Sequence, residues 1–114
     1  MRLKEFKSIM PNTRKALNFD LNESILKKSY PNNSYKNAWN DIRKHLENNQ
    51  FIHRQYSGYV SSTNISMSKV MAIVEELSFK HPWLKESIIQ FDVTIVGNEY
   101  SLKDMINDAS DINL

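Results

Sequence analysis

The sequence predicts an α+β fold, a ferredoxin-like β-α-β-β-α-β sandwich with two helices on one face of a four-stranded antiparallel sheet. Three observations predict it. Strand-like apolar runs fall over about 14 to 21, 51 to 61 and 87 to 96; segments with helical three- and four-residue spacing separate them; and Asn, Pro and Gly stand at the junctions. At 114 residues the chain is sized for one domain, read as 14 to 114 behind an N-terminal extension of residues 1 to 13.

In the extension, Leu3, Phe6 and Met10 have helical spacing, which Pro11-Asn12-Thr13 interrupts, so this arm either docks on a partner or frays. The first strand alternates: Leu17, Phe19 and Leu21 share one face, and Ala16, Asn18 and Asp20 the other. A polar connection holding Ile25, Leu26 and Tyr30 follows, closed by Tyr30-Pro31-Asn32-Asn33. Tyr35, Ala38, Trp39, Ile42 and Leu46 then make one helical stripe, and Asn48-Asn49 stops it, because asparagine tolerates the left-handed conformation. Residues 51 to 56 and 58 to 61 read as two strands joined tightly or interrupted by a bulge, with Ser57 at a kink beside Gly58. A second helix after Asn64 or Ser66 aligns Met67, Val70, Met71, Val74 and Leu77, the methionines being read as core filler, and Pro82 ends it. Trp83 and Leu84 cap the core before a last strand from Ser87 to Val96. Ser101 and Asp104 resemble a capping box opening a C-terminal helix that turns Leu102, Met105 and Ile106 inward.

Composition excludes several classes. With 40% apolar and 25% charged residues the chain is an ordinary globular one, and with no cysteine it has no disulfide scaffold, thiolate metal site or cysteine nucleophile. No leader and no membrane-spanning run is read, which places the expectation in the cytoplasm, with no membrane partner. The formal charge of +2 is too small to argue for nucleic-acid binding by itself, although the first fifteen residues, Lys27-Lys28 and Arg43-Lys44 are locally basic.

Asp20 is the odd residue, since aspartate is disfavoured within strands and costly to bury unpaired. Two readings stand: it accepts backbone N–H groups of Asn22 or Glu23 to hold the next turn, or it is presented for chemistry or metal binding. The open sheet face, with Trp39, the tyrosines and the long last strand, leads to the expectation of a homodimer that closes it.

Three pieces in order resemble the virulence-associated protein D (VapD) family of small bacterial proteins from plasmid and toxin-antitoxin settings. They are Ala16 to Leu21 with Leu26-Lys27-Lys28 and Tyr30; Tyr35, Ala38, Asp41, Ile42 and Arg43 leading to Glu47-Asn48-Asn49, Phe51 and Gln55 to Tyr59; and Trp83 with Ser87-Ile88. The resemblance covers about 14 to 96 and implies a ferredoxin-like homodimer, related in fold to small CRISPR-adaptation nucleases, with endoribonuclease activity. The family's functional aspartate falls on Asp20 and its serine on Ser57. Here the family glycine before that serine is Tyr56, and Gly58 follows instead. A further family aspartate falls on Gln90, which is neither base nor ionised ligand; Asp92, on the same strand face, offers a carboxylate from a shifted place.

RNA cleavage needs either a base for the 2′-hydroxyl and a stabiliser of developing charge, or a metal-bound water. Two Asp20 carboxylates meeting across a dimer would share a proton or hold a divalent cation such as Mg, with Ser57 donating to phosphate. Arg14, Lys15, Arg43 and Arg54 are candidate phosphate contacts, and Tyr56 or Tyr59 candidate stacking partners for an unpaired base. His45 and His81 stand at helix ends, while His53 is a general-base candidate. The leading expectation is an RNA-cleaving toxin with an antitoxin protein as partner. The rivals are a catalytically silent dimer that binds nucleic acid or protein, and a structural module in which the arm docks on a partner and Asp20 only fixes a turn.

Overall fold

The computed structural model describes residues 13 to 55, 57 to 98 and 100 to 111, except the side chains of 109 to 111. Its elements are β1 (Arg14–Leu21), α1 (Glu23–Ser29), α2 (Asn37–Asn48), β2 (Phe51–His53), β3 (Gly58–Ser61), α3 (Met67–Lys80), α4 (Pro82–Ser87), β4 (Ile88–Val96) and α5 (Lys103–Asp111). The four strands form one antiparallel sheet in the order β2-β3-β1-β4. This is the expected β-α-β-β-α-β plan, with each long connection made of two helices and α5 appended.

The additional helices mark where periodicity was silent. Over 22 to 30 the sequence predicts a polar connection, yet α1 forms because Asn22 caps it, its carboxamide oxygen accepting from the Ile25 N–H at 3.0 Å. Glu23 in its first turn and Lys27 and Lys28 in its last complement the helix dipole. Only Leu26 is buried, so no apolar stripe announces this helix. Similarly, Ser87 does not open the last strand; it ends α4, buried, with its hydroxyl donating to the Trp83 carbonyl at 2.8 Å. The left-handed residue after α2 is Gln50, at φ 68°, rather than Asn48 or Asn49. β2 stops at His53, three residues short of the expected end.

Leu17, Phe19 and Leu21 of β1 face the helices and form the core with Leu26, Ile42, Leu46, Val70, Ile73, Leu77 and Trp83. Phe19 stacks between Tyr59 and Phe91, with ring centroids 6.2 and 5.5 Å away. The buried stripe of α3 is Val70, Ile73 and Leu77, so Met71 is 51% exposed rather than core filler. Likewise Leu102, Met105 and Ile106 do not turn inward; all three are exposed. His45 is buried, its Nε2 bonded to the Ile73 carbonyl at 2.8 Å, a structural role. Thr13 bridges to Ile65 and so joins the sheet side of the fold; the rest of the predicted arm lies outside the described residues. Among the described residues no helix is long and apolar enough to cross a membrane.

One polar bond ties together the two helices of the first crossover. The Tyr30 hydroxyl donates to the Asp41 carboxylate at 2.6 Å, and this acceptor, with burial and the nearby negative charge, pushes the phenol pKa up to about 12 from 10.0. A raised folded-state pKa means that the bond's contribution is complete below pH 10 and is lost as pH rises through 12. Tyr30→Phe is therefore expected to lower stability at pH 7 by about 1–2 kcal/mol. In urea titrations, the gap to wild type should narrow above pH 10; a gap independent of pH would contradict this assignment.

Candidate functional site

The alternate residues of β1 decide what the sheet face opposite the core presents. Asn18 and Asp20 are exposed there, whereas Leu17, Phe19 and Leu21 on the opposite side are buried. Asp20 does not hold the turn after the strand. The Asn22 N–H donates to the Ser87 carbonyl at 2.7 Å, and the capping oxygen is that of Asn22 itself. Among the described residues the Asp20 carboxylate makes no hydrogen bond or ion pair.

The neighbouring edge strand supplies the second carboxylate. Asp20 pairs with Gln90 and Asn18 with Asp92, so Asp20 and Asp92 stand on a diagonal of one face, a separation of about 7–8 Å in antiparallel pairs. Gln90 donates its carboxamide N–H to Asp92. A register shift between Asp20 and Leu21 bends the ladder beside this position. Two carboxylates are thus present within a single chain. Among the described residues no group of three or more His, Asp or Glu side chains could hold a metal ion.

On the other side of β1, the β2–β3 turn brings Ser57 and Arg54 to the same face. It is closed by the Arg54 N–H to the Gly58 carbonyl at 2.8 Å and the Gly58 N–H to the Gln55 carbonyl at 2.7 Å. Gly58 pairs with Asn18, and a Cβ there would lie 3.2 Å from the Asn18 oxygen and 3.1 Å from the Gln55 carbonyl. That crowding explains a glycine after Ser57. A basin of about 810 Å³ opens here, lined among others by Asn18, Arg54, Gln55 and Ser57.

Other predicted contacts lie elsewhere. Tyr59 is 3% exposed, packed on the helix side against Phe19 and the His53 ring, which is 4.8 Å away, so it is unavailable to stack on a base. Burial is the main cause raising its phenol pKa. His53 shares that side, away from Asp20. Arg43 is on α2, paired with Glu47, whose carboxylate raises the guanidinium pKa; it borders a separate recess with His53 and Gln50. Lys15 is buried, its ammonium donating to the Thr13 carbonyl and hydroxyl and the Ile65 carbonyl at 3.0, 2.8 and 2.7 Å. It is no phosphate contact, and burial lowers its pKa. Arg14 donates to the Ser61 carbonyl at 2.9 Å and lies six residues along β1 from Asp20, about 20 Å in a strand. Tyr56 lies outside the described residues. Asn18 and Gln55 enter the site unannounced, although the parity shared by Asn18 and Asp20 was visible.

Over 73 residues, 64% of this chain, the sequence is 29% identical to "Endoribonuclease VapD 2" of Riemerella anatipestifer, of which the match covers 78%. The chain is related to the VapD family. No protein-family profile matches it.

Proposed function

We propose that this chain is an endoribonuclease that cuts RNA on its open sheet face, with Asp20 as the reacting carboxylate. The observation that carries the reading is an exposed Asp20 with no partner among the described residues, at the end of the first strand of a chain related to a protein named as an endoribonuclease. Asp20 takes the proton from a 2′-hydroxyl, whose oxygen bonds to phosphorus as the bond to the 5′-oxygen breaks; water protonates the leaving oxygen. Ser57 donates to a phosphate oxygen, Arg54 attracts the backbone at the site and Arg14 farther along β1, and Asp92 stands one diagonal from Asp20.

The test is incubation of the purified protein with a fluorescent single-stranded RNA, with and without EDTA. Cleavage is expected; intact RNA in both conditions, and also with added Mg or Mn, would overturn the reading. A cation shared between two copies would show as loss of cutting in EDTA. The finer parts of the proposal are a cytoplasmic homodimer whose two open faces form one cleft, and a toxin restrained by an antitoxin protein that covers it. Sedimentation should give twice the 13.4 kDa chain mass, and expression should arrest growth unless Asp20 is replaced.

A silent relative is the second reading, favoured by one observation: Gln90 stands where the family places an aspartate and engages Asp92. The wild-type assay separates the two, since a silent relative leaves RNA intact in every condition; in a protein that cuts, Asp92→Asn is expected to slow cutting if the diagonal carboxylate takes part.

A further inference from the structure

We infer that the basin beside Asp20 binds an unpaired RNA nucleobase, with the carboxamides of Asn18 and Gln55 reading its edge; the substrate class rests on the ribonuclease reading above. Several features point to a base rather than a phosphate or an ion. Ala16, Val60 and Val96 supply an apolar floor, and Gly58 leaves it flat. Asn18 and Gln55 are exposed, and neither side chain hydrogen-bonds to another described residue. A carboxamide presents a donor and an acceptor side by side, the pattern that matches a nucleobase edge, and sequence-selective RNA recognition acts on such splayed, unpaired bases. A phosphate alone would favour several cations, whereas among the described residues the lining holds one, Arg54, beside two carboxamides and an apolar floor; a metal would favour clustered carboxylates.

Placement adds the second argument. Asn18 and Asp20 are alternate residues on one side of β1, about 7 Å apart in a strand. That is comparable with the reach from a base to the phosphate of its own nucleotide. A base seated over Gly58 therefore leaves its sugar and phosphate between Asp20 and the Ser57 hydroxyl. The volume, about 810 Å³, is in the range of small-ligand sites and exceeds what one base fills, so the neighbouring sugar also fits.

The test uses ¹⁵N-labelled full chain carrying Asp20→Asn, titrated with a short single-stranded RNA, with the same backbone lacking its bases, and with free nucleoside monophosphates. The Asn18 and Gln55 side-chain NH₂ signals are expected to shift with the RNA and not with the abasic strand. Shifts with monophosphates alone would identify a nucleotide-binding protein and overturn the RNA part of the inference. Equal shifts with abasic and base-bearing strands would overturn base reading altogether. In the Asp20-containing background, Asn18→Ala and Gln55→Ala should each change the ratio of cuts at different bases by about ten-fold. An unchanged base profile in both folded variants contradicts the inference and leaves the ribonuclease reading intact. Base-dependent shifts in a protein that cuts no RNA would do the reverse.

Discussion

Leu17→Ala is expected to lose about 2–5 kcal/mol of folding stability, because a cavity is left where the surrounding sheet relaxes only partly. Leu17 is 1% exposed and lies at the middle of β1, with Tyr59 opposite it on β3 and Val93 on β4. Truncating it removes packing from both sides of the central strand that also presents Asn18 and Asp20. Against a total stability of about 5–15 kcal/mol this is a large fraction, and the melting midpoint should fall by roughly 10 °C or more. Ile25→Ala, at a residue 41% exposed, is the control and should change stability far less. If the two variants melt together, the packing described for β1 is wrong.

Asp20→Asn has the opposite profile. The side chain is exposed and without a partner among the described residues, so the substitution should leave stability within about 0.5 kcal/mol. Its shape is nearly retained while its capacity to take a proton disappears, and removal of a general base typically slows a reaction by about 10²–10⁴-fold. Because Leu17 and Asp20 alternate on one strand, the pair separates the two faces of β1 experimentally: one change affects folding, the other chemistry.

The two faces of β1 are legible because strand alternation is a short, strong signal: Leu17, Phe19 and Leu21 inward, Asp20 outward. The helix α1 was not legible, since a seven-residue helix that buries only Leu26 is set by its Asn22 cap and by packing rather than by a stripe. At the site, Tyr59 and Arg43 were misplaced for a common reason. Tyr59 lies six residues beyond His53, across a turn whose length sets the register, and it faces inward because it pairs with Leu17 and His53; Arg43 on α2 is engaged by Glu47, four residues on. Lys15 was misread because its alternation with Arg14 was ignored: the same parity that buries Leu17 buries Lys15, and the Thr13 and Ile65 oxygens accept its charge. The expected apolar reason for closing the sheet face is also absent near Asp20, where β4 offers Gln90, Asp92 and Thr94; a pairing there would be polar, suited to a cleft that admits RNA.

The most direct measurement compares cutting of one fluorescent single-stranded RNA by wild type and Asp20→Asn, purified side by side and matched for melting midpoint. The expected result is cleavage by wild type and a rate at least about 100-fold lower for the variant. Equal rates would contradict the assignment of the reaction to this carboxylate.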